Sequence, residues 1–315
     1  MMVDRSWTIA VPLFNGARHL RATLTSIRDQ AQSHFDWIIV DDRSTDGSVD
    51  LAREVVGDSA RVEVNGERLG LARNWGRCVD LCMTRHLAIV HQDDLLRPDH
   101  LTTHERAFQH HPDLGMAISA VNVINEEGQT IPNRLVEAGG FGTEDRTFPP
   151  GAFLDELAVG NPVRCSAVAL AVKAIREVGG FDPGFCYVVD WDAWIKIARR
   201  FAVAWLAHPT VLVRWHDASE THRFKTGTED IDEQERLLRA LHDSDTMRFG
   251  PSVRRSANRR LARAFLNRAY EAARSNDPDL SRACVARSFR LGPGTFAKGL
   301  LDPRLVWRLV KAACS

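Results

Sequence analysis

The chain carries no net charge: 41 Lys and Arg balance 41 Asp and Glu over 315 residues. That removes the electrostatic case for nucleic acid or a uniformly anionic surface as partner. A dispersed basic bias is confined to the part after about Arg248. No apolar run approaches the roughly 20 residues needed to span a bilayer. Met1-Met2-Val3-Asp4-Arg5-Ser6 leads straight into a strand pattern, without the apolar h-region of a signal peptide. Cys78 and Cys82 are the one close pair among six cysteines, and no second Cys or His pair has zinc-site spacing. They read as small core residues on a helix. Scattered thiols without an export signal fit a reducing cytoplasm, the expected location. Internal repeats are also lacking over the first two thirds.

What the sequence does have is an alternation of strand and helix patterns. Residues 7–12, 37–40 and 86–90 are short runs of strand type, mostly apolar, and Arg61-Val62-Glu63-Val64 is a further strand between the last two. Between them, residues 17–30, the stretch up to about Val56, and residues 70–82 carry helical spacing, with Asp46 or Thr45 as a cap for the second helix. Four strands and three helices in about ninety residues predict an α/β, doubly wound, parallel sheet with right-handed crossovers. Further on, the pattern predicts helices over 98–110, 173–178 and 190–200. Strands are predicted over 116–123, 166–172, 202–206 and 210–215, with a long loop over 125–150. From Glu229 onward the pattern is helical, with breaks at Gly250-Pro251, Asp277-Pro278 and Gly292-Pro293-Gly294.

The most informative segment is His91-Gln92-Asp93-Asp94, directly after the fourth strand. In an open α/β sheet, ligands bind beyond the C-terminal strand edge. Two adjacent acids there suit a divalent cation whose shell is completed by substrate phosphates. A solvated turn or a helix cap is the alternative for this motif taken alone.

Other segments fall into order around it. They are Val11-Pro12-Leu13-Phe14-Asn15-Gly16, Val40-Asp41-Asp42-Arg43-Ser44-Thr45-Asp46-Gly47-Ser48, Leu71-Ala72-Arg73-Asn74-Trp75-Gly76, Val178-Gly179-Gly180-Phe181-Asp182, Val189-Asp190-Trp191-Asp192-Ala193-Trp194 and Val213-Arg214-Trp215-His216. Over about residues 6 to 220 this series resembles the family 2 glycosyltransferases of bacterial surface-polysaccharide type. The resemblance implies a GT-A fold: a nucleotide-diphospho-sugar transferase with a Rossmann-like mixed sheet and, here, a C-terminal helical extension. The implied domains are 1–228, catalytic, with a nucleotide-binding half (1–97) and an acceptor half (98–228), and 229–315, helical.

The resemblance also implies roles. Pro12, Phe14, Asp42, Arg73 and Asp93 would bind the nucleotide of a UDP-sugar. Asp93 and Asp94, with His216 as an extra ligand, would hold Mn²⁺ or Mg²⁺, although the family's usual Asp-x-Asp has His91 at its first position. Asp190 would be the base, on the face opposite the leaving group, with Asp192 as fallback. The family's usual Glu before it is Val189 here. Trp191 would stack against the acceptor sugar. Each has a plainer alternative: turn residue for Asp42, core ring for Phe14 and Trp191, surface cation for Arg73, N-cap for Asp190.

The expected activity is metal-dependent, inverting transfer of a sugar to an acceptor hydroxyl, in polysaccharide or glycoconjugate synthesis. Saccharides, lipid-linked oligosaccharides or small molecules would be acceptors. A non-catalytic sugar-nucleotide-binding subunit is the alternative. A nucleotidyltransferase is a further one, disfavoured because residues 12–16 lack a Gly-rich basic loop. His222, Arg223 and Lys225 are expected in a lid over the donor. Residues 303–313 have Leu305, Leu309 and Ala312 on one face beside Arg304, Arg308 and Lys311. This predicts a helical cap or homodimer contact, or a peripheral contact with the inner face of the plasma membrane.

Overall fold

The structure, a computed structural model, describes residues 5–131, 141–216, 224–244 and 249–294. The proposed lid residues His222 and Arg223, the side chain of Lys225 and the basic face at 303–313 lie outside the described residues. The chain forms two compact units: Met1–Leu154 with Pro162–His216, and Asp155–Asn161 with Asp217–Ser315.

The first unit is built on one nine-stranded sheet. β1 (Trp7–Leu13), β2 (Asp36–Asp41), β3 (Arg61–Val64) and β4 (His86–Ile89) are parallel and lie in the order β3-β2-β1-β4. The crossovers are α1 (Ala17–Arg28), α2 (Ser48–Val56) and α3 (Leu71–Leu81). β1 and β2 are buried along almost their whole length, which is why they read as continuous apolar runs rather than as an alternation. α1 buries Leu20, Thr23, Leu24 and Ile27, the stripe that a 3.6-residue period lays against a sheet.

Beyond β4 the sheet becomes mixed. β8 (Val168–Ala171) runs antiparallel between β4 and β6 (Leu114–Ile124). β9 (Ala202–Arg214) is parallel to β6, while β5 (Leu95–Leu96) and β7 (Arg146–Phe148) pair antiparallel with β9. Further α-helices described before residue 201 are α4 (His100–His110), α5 (Leu154–Leu157), α6 (Val172–Glu177) and α7 (Val189–Arg200). The mixed sheet with its flanking helices is the GT-A arrangement.

Some expectations need correction. The two strands predicted at 202–206 and 210–215 are one strand, β9, whose register against β6 shifts around Ala120 and Pro209. A bulge absorbs the proline, so the strand continues through a residue that normally ends one. β7 lies within the stretch predicted as loop, and β5 is too short to give a periodic signal. The cap of α2 is Gly47, in the left-handed region, and not Asp46 or Thr45. Asp46 instead accepts from the amides of Ala17 and Ser48, both at 3.0 Å, tying the start of α1 to that of α2.

In the second unit the described helices are Glu229–His242, Pro251–Arg274 and Pro278–Leu291, each of the last two starting on a proline at its first turn. Arg268 is buried in it and pairs with Asp230 at 3.0 Å. Its Nη1 also donates to the Phe224 carbonyl at 2.7 Å.

Candidate active site

Because β1, β2 and β4 are parallel, their C-terminal ends share one edge of the sheet. The chain order reverses between β1 and β4, so the crevice for a ligand opens there. Phe14 follows β1, Asp42 follows β2, and His91 to Asp94 follow β4.

Gln92 ties the segment after β1 to the segment after β4. The Phe14 amide donates to Gln92 Oε1 at 2.8 Å, and Gln92 Nε2 donates to the Phe14 carbonyl at 3.0 Å. The clamp lies so close to the chain that a Cβ on Gly16 would sit 2.4 Å from Gln92 Cδ. A glycine at 16 is therefore a packing requirement. Phe14 is half-buried, with the Arg68 guanidinium 3.9 Å from its ring centroid. Pro12 is half-buried within β1, opposite Val40.

Asp42 is buried and heavily engaged. Its Oδ1 accepts from Leu69 N at 2.7 Å and Asn65 Nδ2 at 3.0 Å, and its Oδ2 from Gly70 N at 2.8 Å. Asn74 extends this network by accepting from Asn65 Nδ2 at 2.8 Å and donating to the Val40 carbonyl at 3.0 Å. One lone pair of four remains on the Asp42 carboxylate for a ligand. Asp41, not singled out from the sequence, has a buried Oδ1 without a partner, while its Oδ2 accepts from Ser44 N at 3.0 Å. Only an adjacent acid hinted at that division. Arg73 is exposed in the first turn of α3.

The acid pair is asymmetric. Asp94 is 4 % exposed. Its Oδ2 accepts from Ser166 Oγ at 2.6 Å and its Oδ1 from the Arg214 amide at 2.9 Å. Burial, and next the charge of Asp93, pushes its carboxyl up to about 6. Asp93 meets His216, with Nε2 2.8 Å from Asp93 Oδ2. Burial alone would raise Asp93, but the His216 hydrogen bond and the neighbouring His91 and His216 hold it below the usual carboxylate range. The Arg214 guanidinium donates to the carbonyls of Asp93, Asn125 and Glu126 at 2.7–3.0 Å, locking the end of β9 to the turn after β6. Neither Ser166 nor the Arg214 amide is marked by the sequence as part of the site.

Asp190 lies in the first turn of α7, half-buried, and its Oδ1 accepts from Trp191 N at 2.7 Å. Its charge and that of Asp94 both bear on the buried Cys165, whose thiol is pushed up first by burial and then by these two carboxylates. Asp192 points elsewhere. It is buried and ion-paired with Lys196 at 2.5 Å. Trp191 is 2 % exposed, a core ring with no face open to a sugar. Trp215, beside His216, is 44 % exposed.

Metal fit can be judged from the donor atoms. Ligand atoms of His91, Asp93 and Asp94 lie within 4.8 Å of one another. His91 Nε2 is buried without a partner, and Asp93 Oδ1 has no side-chain partner among the described residues. An orphaned imidazole nitrogen beside a carboxylate fits a divalent cation, with the nitrogen favouring Mn²⁺ over Mg²⁺.

Residues 8–168 match the family described as Glycosyl transferase family 2. An uncharacterized protein of Mycobacterium tuberculosis, MT1568, is 28% identical over 240 residues, 73% of this chain and 74% of that protein. Among solved structures, Staphylococcus aureus TarS 1–349 in complex with UDP-GlcNAc superposes with a TM-score of 0.61 at 12% identity, over 91% of this chain and 92% of that one. The mannosyltransferase PcManGT of Pyrobaculum calidifontis, in complex with GDP-Man and Mn²⁺, gives 0.59 at 17% identity, over 99% and 87%.

Proposed function

Because the chain belongs to glycosyl transferase family 2, and is therefore a glycosyltransferase, we propose a metal-dependent, inverting transfer from a nucleoside diphosphate sugar to an acceptor hydroxyl. The observation that carries this reading is the buried, unpartnered His91 Nε2 beside the Asp93 carboxylate, at the sheet's switch point. Asp93 and His91 would hold the cation, with Asp94 behind them as the buried anchor. When bound, the cation would stabilise the negative charge developing on the departing diphosphate.

The protein's own groups have separate tasks. Phe14 and the β1 end held by Gln92 wall the nucleotide site, and Asp42 offers its remaining lone pair to a base N–H or ribose hydroxyl. Arg73, exposed at the start of α3, is free to fork onto phosphate oxygens. Asp190 takes the acceptor hydroxyl proton as that oxygen bonds to the anomeric carbon. The bond from that carbon to the diphosphate oxygen breaks, and its electron pair leaves with the nucleotide. The ion pair that commits Asp192 to Lys196 supports Asp190 over it for this step.

A UDP-sugar is the favoured donor. UDP-GlcNAc sits in TarS and GDP-Man in PcManGT, so both bases belong in the test. The proposed catalytic domain is 1–228, of which Met1–Leu154 and Pro162–His216 form the sheet-built unit, and the acceptor is a saccharide, lipid-linked or small-molecule hydroxyl. Calorimetry of UDP, dTDP and GDP with and without Mn²⁺ tests the donor site. One nucleotide should bind with Mn²⁺ and fail to bind Asp93→Asn. Asp190→Asn should bind it as the wild type does and lose about 10²–10⁴ in transfer rate. Binding of no nucleotide under any condition would remove the proposal, and donor binding without turnover on any acceptor would favour a non-catalytic subunit.

A further inference from the structure

Charge in the helical unit is segregated. The helix Glu229–His242 carries five acids and two arginines, while Pro251–Arg274 and Pro278–Leu291 together carry ten arginines and two acids. The zero balance over the whole chain, which argues against an anionic partner, conceals this. Several of the ten arginines are committed within the unit. Arg254 pairs with Asp243 at 3.2 Å, Arg268 with Asp230 at 3.0 Å, Arg282 with Asp279 at 2.6 Å, and Arg287 with Asp232 and Glu235. Arg255, Arg259 and Arg263 differ. All three are exposed, and none has an acidic partner among the described residues. Arg259 bonds instead to Ser256 Oγ at 3.0 Å.

Their spacing puts them on one side of the helix Pro251–Arg274. Residues four apart fall within an arc of about 80° and along about 12 Å of its length. Glu271, the one acid of that helix, lies outside the arc and pairs with Arg268 at 3.5 Å. Arg260 and Arg268, about 100° and 180° round from Arg259, bond to Gln234 and Asp230 of the helix Glu229–His242. The arginine stripe therefore faces away from that helix. Phe289 does the same. Arg287 is paired to Asp232 and Glu235, and Phe289, about 200° further round its own helix, is 54 % exposed. A basic stripe and an apolar ring thus both face outward from the last two described helices.

We propose that this side of the helical unit docks on an anionic lipid surface, with Arg255, Arg259 and Arg263 on headgroup phosphates. This proposal does not depend on the transfer reading. A guanidinium forks onto phosphate oxygens and gives up its weak hydration readily. The outer side of a helix is convex and has no walls to enclose a nucleotide or a sugar, so its arginines suit a broad charged surface better than a discrete ligand. An exposed phenylalanine with basic neighbours is the composition of an interfacial helix face. No described helix is long and apolar enough to cross a membrane, so the contact is a peripheral one.

The test is sedimentation of the full-length protein with vesicles of phosphatidylcholine alone and of phosphatidylcholine mixed equally with phosphatidylglycerol. The wild type should bind the mixed vesicles and not the neutral ones, and should be released as salt is raised. Each basic residue at such a surface contributes about fivefold to partitioning, so Arg255→Gln, Arg259→Gln and Arg263→Gln combined should weaken binding by about a hundredfold. Arg5→Gln, Arg21→Gln and Arg53→Gln combined remove the same charge from exposed ion pairs of the sheet unit and should bind as the wild type does. Equal binding to both vesicles, binding to neither, wild-type-like binding by the helical variant, or an equal loss in the sheet-unit variant would each overturn the proposal. Capture of dextran sulfate through the three arginines without binding to vesicles would overturn it in favour of a soluble acidic polymer.

Discussion

Ser166→Ala is the substitution that best isolates how the acid pair is built. Ser166 is fully buried, donates to Asp94 Oδ2 at 2.6 Å and accepts from the His91 amide at 3.0 Å. Removing the hydroxyl has two separable costs. The orphaned His91 N–H costs about 1–3 kcal/mol at any pH, and the lost hydrogen bond to an ionised carboxylate about 1.5–3 kcal/mol only while Asp94 is charged. The second cost, taken as about 2 kcal/mol, raises the Asp94 carboxyl by about 1.5 pH units. The native carboxyl already stands at about 6, above its unfolded value. A raised carboxyl keeps its proton longer in the folded state, so stability falls as pH rises through that window and then levels off. Ser166→Ala extends the window upward. The variant should therefore lose about 2 kcal/mol near pH 5 and about 4 kcal/mol near pH 8.5, measured by urea unfolding of both proteins at each pH. An equal loss at the two pH values would refute the claim that Ser166 stabilises the ionised form of Asp94.

Two further substitutions test packing in each unit. A Cβ on Gly115 would meet Phe201 Cβ at 2.5 Å and Ile197 Cγ2 at 2.7 Å, so Gly115→Ala should destabilise the sheet unit by about 1–3 kcal/mol in thermal or chemical unfolding. In the helical unit, Asp230→Ala strands the buried Arg268, leaving it the Phe224 carbonyl and Glu271 at 3.5 Å. That should cost about 3–5 kcal/mol, read as earlier loss of helical circular dichroism on heating.

The strand-and-helix alternation up to residue 90 was legible because its helices carry their own period and β1 and β2 read as continuous apolar runs. α1, α3 and β4 end within two residues of their predicted limits. β5 and β7 were not legible, since two- and three-residue strands exist only through their pairing with β9. β9 itself was split in two because Pro209 is a local stop that a tertiary bulge overrides. In the site, the acids at 42, 93, 94 and 190 stand out by type and position. Their partners do not: Ser166 and the Arg214 amide reach Asp94 across 72 and 120 residues. Trp191 shows the reverse failure. An aromatic beside a candidate base suggests a sugar platform, yet the period of α7 turns that ring into the core.

The asymmetry of Asp93 and Asp94 follows from where their hydrogen bonds go. Asp94 gathers three separate segments: the β4 end that carries it, Ser166 before β8, and the last residue of β9. A carboxylate with both oxygens accepting from buried donors is a fixed post, and moving it would strand a hydroxyl and an amide at once. Asp93 has one oxygen on His216 and the other free of side-chain partners, so it can face a ligand at no cost to the fold. The post also fixes His216, because the β9 end that Asp94 holds is two residues before that imidazole. A charge that burial makes expensive is thus kept at Asp94 to set the geometry of two neighbouring groups, Asp93 and His216. Replacing Asp94 should for that reason damage metal-dependent binding even if it never touches the metal.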